Sequence, residues 1–490
     1  MNLGRTTRYL IGAALVLSLV PQGGLTAATT PATAASISAK DKAEGAKAHP
    51  QLVAEYGGAL TGPQADYVAS IGKKIAVQSG LSNSSSDFTV TLLDSSINNA
   101  FAIPGGYIYT TRQLVGLMNN EAELGGVLGH ETAHVALRHS AQRQSAATKN
   151  QVVGILGAIL SGVVLGGNSQ IGQLLQKGFL QGSQLLTLKF SRKQESEADS
   201  YGIQYLRKAG YDPRGMSTVL QSLANQNALD AKLMGTSEQV PEWASTHPDP
   251  ASRVRTAASL AGTTTGVTNR DTFLSRIGGL TYGDSPAQGY AEGRSFKHPI
   301  EKLAFDAPAG FYLVNGTQAV AIGGTSGKGQ FTTAAFNGNL DAYVTAQFSA
   351  LAQSNQTQLT PSAIQHTTVN GIPAAYATAR VANGSSQVDV TVFAYQWSSS
   401  QAYHFLTITQ AGQNPFDSMF ASMRRLSAAE AGALKPRKLL VVTVKSSDTL
   451  QSLATRMAYT DAPLERFLVL NGLTSTSRLI TGQKIKLVTY

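Results

Sequence analysis

The chain is organised around the stretch Leu128-Gly129-His130-Glu131-Thr132-Ala133-His134-Val135. Residues four apart lie one turn above each other on a helix, so His130 and His134 can aim their imidazole nitrogens at one metal ion. Glu131 directly follows the first histidine, where its carboxylate can accept a proton from a water molecule at that metal. The His-Glu-x-x-His spacing therefore predicts a hydrolytic zinc site that still needs a third protein ligand.

A third histidine is the first alternative for completing the site. In one zinc pattern it follows the second histidine by six residues, but Ser140 occupies that position here. His139 is one residue short and, if the helix continues, projects about 140° away from His134. We therefore expect His139 to be a solvated or packing residue rather than a ligand.

Better candidates for the third ligand stand in the segment 190–199. Glu195 and Asp199 are four residues apart, so on a helix one carboxylate can bind the metal while the other accepts a hydrogen bond from a ligand imidazole. The same segment also fits a charged, solvated helix face. The spacing alone leaves both interpretations open.

The His-Glu-x-x-His motif followed by Glu195-x-x-Ala198-Asp199 resembles the gluzincin metallopeptidases of peptidase family M48, the group that includes HtpX, BepA and the CAAX prenyl endopeptidases. The resemblance implies one Zn²⁺ per chain, with Glu195 as third ligand beside the two motif histidines. It also implies that Glu131 is the catalytic base and that Asp199 orients a ligand histidine. It covers residues 45–262 and implies a mainly α-helical zinc metalloprotease domain with a small β-sheet.

The segment 99–109 also resembles the strand that precedes the zinc helix in this family. An extended substrate can add to such a strand through main-chain hydrogen bonds. The resemblance therefore implies that Asn99, Ala100 and Phe101 belong to the substrate strand.

His247 lies in the segment 246–253, which is similar to a loop that in some family members carries a zinc-capping histidine. Two interpretations stay open for it. His247 either fills the open zinc position, which would make the resting enzyme latent, or is an ordinary turn histidine beside Pro248.

The N-terminus predicts export. Residues 1–28 carry Arg5 and Arg8, an apolar run and then small residues, as in a cleaved signal peptide. The run is shorter than the roughly 20 residues that span a bilayer, so we expect no transmembrane span in the mature chain and a periplasmic location. The Thr/Pro/Ala/Ser-rich composition predicts a disordered leader at 29–44. The absence of cysteine excludes disulfides and lipid-modified cysteine.

A length of 490 residues predicts several domains. A polar linker at 263–268 follows the zinc domain, and short alternating strands with two helices predict an α+β domain of unknown role at 271–430. A βααβ unit is expected at 439–490. The apolar stretch 152–165 fits either core packing or a membrane-facing flap near the site.

The C-terminal unit resembles a LysM module in its segments 448–450, 470–473 and 482–485. LysM modules generally bind N-acetylglucosamine-containing glycans such as peptidoglycan, which makes peptidoglycan an expected partner of residues 439–490. Ser447 replaces the usual glycine in a glycan-facing loop. Glycan binding and a purely structural role both stay open.

These features together predict a zinc metalloendopeptidase of the cell envelope that hydrolyses misfolded or unfolded envelope proteins. The alternative is a peptidoglycan-associated adaptor or chaperone with a latent protease fold. The formal net charge of +10 is modest for this length and fits solubility or attraction to anionic envelope polymers. We expect no nucleic-acid partner.

Overall fold

The computed structural model describes residues 36–139, 190–235, 247, 250–355, 359–383 and 386–490. The predicted signal peptide at 1–28 and the apolar stretch at 152–165 lie outside these ranges. Within them, no helix combines the length and the apolar character needed to cross a membrane.

Helix α1, Ala39–Glu55, begins inside the segment 29–44 that we expected to be a disordered leader. The Ser38 side chain accepts a hydrogen bond from the main-chain N–H of Asp41, and the Asp41 carboxylate accepts one from the Ser38 N–H. This reciprocal capping box satisfies two N–H groups that a helix end leaves unpaired. Residues 39–44 are therefore helical, because local capping outweighs the composition that predicted disorder.

A three-stranded sheet follows, formed by β1 (Thr89–Leu93), β2 (Ala100–Ile103) and β3 (Tyr107–Thr111). The strand order is β1-β3-β2, with β1 parallel and β2 antiparallel to β3. Gly105 and Gly106 both have positive φ angles, of 96° and 85°, and make the tight turn between β2 and β3. Among the described residues, β2 is an edge strand of this sheet.

The other helices of the N-terminal region are α2 (Pro63–Ala76), α3 (Arg112–Leu117), α4 (Glu121–Ala136), α5 (Arg192–Lys208), α6 (Gly215–Leu233), α7 (Pro250–Ala261) and α8 (Arg270–Ile277). Helices α4 and α5 cross at small residues. A Cβ atom on Gly202 of α5 would lie only 3.1 Å from the main-chain nitrogen of His130 in α4. Glycine at this crossing therefore allows the helix with the zinc motif to approach α5 closely.

The β-rich region contains β4 (Tyr290–Glu292), β5 (Ser295–His298), β6 (Leu303–Asp306), β7 (Phe311–Asn315), β8 (Val320–Gly324), β9 (Gly327–Ala335), β10 (Gln365–Val369), β11 (Ile372–Asn383), β12 (Ser386–Gln396), β13 (Gln401–Gln410) and β14 (Arg424–Arg425). Its helices are α9 (Leu340–Asn355), α10 (Asp417–Ser422) and α11 (Ala428–Ala433). A seven-stranded sheet has the order β10-β11-β12-β13-β9-β8-β7, and a four-stranded sheet the order β14-β6-β5-β4. An aromatic core with Phe296, Phe305, Phe331 and Phe405 joins the two sheets.

The C-terminal module has the order β15 (Lys438–Thr443), α12 (Leu450–Ala454), α13 (Pro463–Asn471) and β16 (Lys484–Thr489), with β15 antiparallel to β16. This module shares one apolar core with the N-terminal region. Phe467 and Ile485 are buried in the same cluster as Leu124 and Leu128 of the zinc-motif helix. The module is thus built into the N-terminal core rather than attached to the chain as a separate body.

A buried lysine reinforces this junction. Lys486 of β16 is 0% exposed, and its Nζ donates hydrogen bonds to the carbonyls of Gly116, Leu117 and Met118 at the end of α3. A positive charge at a helix C-terminus is favourable because the last carbonyls have no helical partner. Lys486 therefore connects the C-terminal module to the segment just before α4.

Helix α8 belongs to the same core, although the sequence placed most of it in the α+β domain at 271–430. Phe273, Leu274 and Ile277 are buried in the cluster that contains the zinc-motif helix. Helix α8, which follows the polar linker, therefore packs with the N-terminal region. The polar composition of a linker predicts that the linker itself is exposed to solvent. It does not predict which core the following helix packs into.

Candidate metal centre

Helix α4 places two imidazoles side by side in the protein interior. His130 and His134 are 1% and 2% exposed, and their Nε2 atoms lie 3.0 Å apart. Asn120 caps the helix by accepting a hydrogen bond from the main chain of Glu123. The i, i+4 spacing thus puts both rings on one face, as expected for two ligands of one ion.

Glu195 reaches the same point from α5. Ser191 and Gln194 form a capping box that places Glu195 in the first helical turn. The carboxylate is fully buried, and its oxygens lie 3.5 Å from the Nε2 atoms of His130 and His134. Burial opposes ionisation of Glu195, but the surrounding imidazoles outweigh it and hold its pKa well below the ordinary value. The solvated-face interpretation does not hold for this residue.

His247 lies in the same group. Its Nδ1 is 3.2 Å from Nε2 of His130 and 3.1 Å from Oε1 of Glu195. The ring is 1% exposed, so His247 is not a turn histidine facing solvent. The structure thus brings together four side chains from three separate parts of the chain.

The spacing of these donor atoms fits zinc. One donor atom from each of the four side chains can be chosen so that all lie within 4.8 Å of one another. The closest pairs of donors are 3.0 to 3.5 Å apart. In a tetrahedral zinc site with bonds of about 2.0 to 2.1 Å, the ligand atoms are about 3.3 to 3.4 Å apart. Two or three imidazoles with one carboxylate are also ligands that zinc accepts, so the cluster can hold one such ion.

Glu131 stands beside the four donors without being one of them. It is 1% exposed, and its Oε1 lies 3.4 Å from Nε2 of His247. Burial raises the pKa of the Glu131 carboxyl, which makes the carboxylate a better proton acceptor. The same contact places the His247 ring next to the carboxylate of Glu131.

Asp199 lies one turn after Glu195 and contacts the far side of a donor histidine. Its Oδ1 is 2.9 Å from Nδ1 of His130. Burial opposes its ionisation, but the guanidinium of Arg253 and the His130 ring hold the pKa of Asp199 below its ordinary value. The ionised carboxylate can therefore accept a hydrogen bond from His130 and leave Nε2 facing the donor group.

The model of peptidase family M48 matches residues 63–261, the range that contains all four donors and Glu131. The chain contains an M48 peptidase domain. A second family model, for the LysM domain, matches residues 442–488.

Relatives of this chain carry names of the same kind. The beta-barrel assembly-enhancing protease of Yersinia pestis is 33% identical over 198 residues, which are 40% of this chain and 38% of that protein. Metalloprotease LoiP of Escherichia coli (strain K12) is 35% identical over 127 residues, 26% of this chain and 47% of that protein. The mitochondrial metalloendopeptidase OMA1 of Schizosaccharomyces pombe is 29% identical over 212 residues, 42% of this chain and 57% of that protein. The chain thus spans less than two thirds of the length of each of these relatives.

Arg253 of the M48 domain is a site residue that the sequence analysis missed. It is buried, its Nε and Nη2 donate to the Asp199 carboxylate at 2.8 and 2.6 Å, and its Nη1 lies 2.6 Å from Oε2 of Glu195. One guanidinium therefore neutralises two buried carboxylates on successive turns of α5. Its place six residues after His247 was visible in the sequence, but only the fold shows which charges it meets.

His139 of the M48 domain fits the buried rather than the solvated alternative, but α4 does not continue as far as this residue. Helix α4 ends at Ala136, and Arg138 adopts a left-handed conformation with φ of 53°. The chain therefore turns back, and His139 is 1% exposed with its Nδ1 only 2.9 Å from Nδ1 of His134. His139 is not among the four donors, but it is not solvated either.

The predicted substrate strand packs against α4, the helix that carries the zinc motif. Ala100 and Phe101 lie on β2, whose strand neighbour among the described residues is β3, and Asn99 precedes them. All three side chains are buried, with Asn99 donating to the Tyr56 hydroxyl and Phe101 stacked on Tyr109 at 4.6 Å. What β2 can offer to a peptide is therefore its main-chain edge, not its side chains.

Proposed function

We propose that this protein is a zinc metalloendopeptidase of the cell envelope that hydrolyses peptide bonds in misfolded or unfolded envelope proteins. The observation that carries this proposal is the buried group of His130, His134 and Glu195 with Glu131 beside it. Three such ligands with an adjacent carboxylate are an arrangement that supports metal-assisted hydrolysis. The M48 domain and the protease names of its relatives support the same reaction class.

Each side chain has a distinct task in this proposal. His130, His134 and Glu195 would hold the zinc ion, which when bound would supply Lewis acidity for polarising water and a peptide carbonyl. Glu131 accepts the proton of the attacking water and delivers it to the leaving amine. Asp199 accepts the Nδ1–H of His130 and so keeps its Nε2 directed at the donor group.

The edge of β2 supports the choice of substrate. A peptide that adds to this edge is bound through its main chain, so binding depends only weakly on its side chains. Main-chain groups of folded proteins are already paired, whereas those of unfolded segments are free. We therefore propose unfolded or misfolded segments as substrates, with Asn99, Ala100 and Phe101 forming the pairing strand.

His247 makes the resting site latent in this proposal. As a fourth donor it would take the coordination position that a catalytic zinc site keeps open for water. Its contact with Glu131 also blocks the carboxylate that must accept the proton. Activity therefore requires His247 to move away, and removing its imidazole should raise the basal rate.

The LysM domain supports an envelope location. Such a domain suggests peptidoglycan binding, and Lys445, Ser446 and Ser447 in its first loop are exposed. We propose a periplasmic enzyme held near the cell wall through residues 439–490. Pull-down of the intact chain by peptidoglycan, compared with pull-down of Ser447→Trp, tests this location. An equal yield from both would show that this loop does not contribute to glycan binding.

The enzymatic proposal is tested with the chain lacking residues 1–28. We expect one zinc per chain, slow cleavage of unfolded casein, faster cleavage by His247→Ala and none by Glu131→Gln. His366→Ala is the matched histidine control, because the His366 side chain is 62% exposed on the β-rich region. Stoichiometric zinc with no cleavage even by His247→Ala would favour the adaptor or chaperone instead.

A further inference from the structure

Each histidine of the zinc motif has a partner on the side that faces away from the donor group. For His130 this partner is Asp199, at 2.9 Å from Nδ1. For His134 it is His139, whose Nδ1 lies 2.9 Å from Nδ1 of His134. The second contact has no place in the mechanism described above, and it depends on the turn that follows α4.

That turn is held in place by α5. The main-chain carbonyl of His139 accepts a hydrogen bond from the Gln194 side chain at 3.4 Å. The Nε2 of His139 lies 3.3 Å from Oε2 of Glu197, whose side chain is 43% exposed. A chain of contacts therefore runs from His134 through His139 to a carboxylate at the protein surface.

The protons of this chain can be assigned without conflict. His134 directs Nε2 at the donor group, so its own proton must sit on Nδ1. The Nδ1 of His139 must then be an acceptor, which places the proton of neutral His139 on Nε2. The Nε2–H of His139 then faces the carboxylate of Glu197 at 3.3 Å, as an electrostatic contact rather than a formed hydrogen bond. Each of the four ring nitrogens has one role.

Stacking alone does not fix the His134 ring. Phe190 lies against its face, with ring centroids 3.6 Å apart and planes inclined by 21°. Such a stack restrains the tilt of the imidazole but leaves rotation within its plane free. The hydrogen bond to His139 acts in that plane and selects the orientation that presents Nε2.

We propose that His139, supported by Glu197, is a positioning residue that fixes the tautomer and in-plane orientation of His134 for zinc binding. This inference rests on the proposed zinc site but does not require that the protein be a protease. It distinguishes His139 from a packing residue, which would need the shape of the ring and not its acceptor nitrogen.

The test compares matched variants of the chain lacking residues 1–28. His139→Phe keeps the ring shape without an acceptor, whereas His139→Asn places an amide oxygen near the position of Nδ1. Glu197→Leu removes the second acceptor and Glu197→Gln retains a neutral one. Lys193→Ala is the control, because Lys193 makes the other contact of Glu197, at 3.9 Å.

Three measurements are made on each variant: zinc affinity by competition with a chromophoric chelator, the visible spectrum of the cobalt-substituted protein, and the thermal stability of the metal-free chain. We expect His139→Phe to weaken zinc binding by about 10- to 100-fold, the range found for residues that orient metal ligands. The cobalt spectrum should change in the same variant. His139→Asn and Glu197→Gln should recover most of the affinity, and Lys193→Ala should match the unmodified chain.

Two results would overturn the inference. One is wild-type zinc affinity and cobalt spectrum in His139→Phe. The other is an equal loss of affinity in His139→Phe and His139→Asn that follows the stability of the metal-free chain, which would identify a packing role. A chain that binds zinc but cleaves nothing, even as His247→Ala, would refute only the proposed function, whereas a chain that binds no zinc would refute both.

Discussion

Replacing Lys486 with methionine tests whether the LysM domain is part of the structural core of the M48 domain. Methionine keeps most of the volume and apolar stem of lysine but has no donor. The change removes three hydrogen bonds, of 2.8, 3.0 and 2.6 Å, to the carbonyls of Gly116, Leu117 and Met118. It also removes the positive charge near the buried carboxylate of Glu123.

The size of the effect follows from what is left unpaired. A buried polar group without a partner costs about 1 to 3 kcal/mol, and three carbonyls lose their donor. Methionine also removes the cost of burying an ammonium, which offsets part of this loss. We therefore expect Lys486→Met to lower the free energy of unfolding by about 3 kcal/mol.

The same residue predicts a pH dependence. Burial lowers the pKa of Lys486 to about 7, against the opposing attraction of Glu123. The pKa of lysine in the unfolded chain is about 10.4, so the unfolded state binds more protons between pH 7 and 10. Stability should therefore rise with pH across this window in the wild type, and this rise should be absent from Lys486→Met.

Urea unfolding of the metal-free chain, followed by circular dichroism at several pH values, measures both effects. Lys484→Met is the control, since Lys484 lies two residues earlier on β16 and bonds Ser275 at a partly exposed site. The control should differ from wild type by less than about 1 kcal/mol. If Lys486→Met unfolds like the control, the lysine adds nothing to the junction and the stabilising role given to its three hydrogen bonds is wrong.

Three further outcomes follow from the structure. Arg253→Met leaves two buried carboxylates without their cation. We expect urea unfolding of the metal-free chain to show a loss of about 3 kcal/mol of stability. An unchanged unfolding midpoint would contradict this expectation. Gly202→Val should push α5 away from the zinc-motif helix and abolish stoichiometric zinc binding, measured by atomic absorption. Burial lowers the pKa of His404 to about 4. The unfolded state therefore binds more protons than the folded state between pH 6.5 and 4. The free energy of unfolding should fall by about 3 kcal/mol as the pH drops through that window. His404→Gln should not show this fall in acid-dependent thermal scans.

Local sequence was enough for the features that depend on short-range geometry. The i, i+4 spacing of His130 and His134 places both rings on one helix face whatever the rest of the chain does. The Asn370-Gly371 pair is likewise a local turn signal, and both residues have positive φ angles between β10 and β11. The order of elements in the C-terminal module also followed from periodicity and capping signals.

The expectation for His139 shows where local reasoning stops. The angle of about 140° between His134 and His139 applies to a helix that continues, but α4 ends at Ala136 and the chain reverses. The reversal depends on a left-handed residue and on Gln194 of α5, which holds the turn from outside. The sequence around the motif contains no sign of that distant partner.

The sequence by itself determined that His130 and His134, with Glu131 beside them, can act at one metal ion, because this needs only the spacing of side chains along one helix. Only the tertiary structure decided that Glu195 is buried against them, and that Arg253 neutralises it. It also decided that apolar residues of the LysM domain pack into the same core as α4, the zinc-motif helix. These are contacts between residues far apart in the chain, and they depend on which surfaces the packed elements bury rather than on any spacing within one segment.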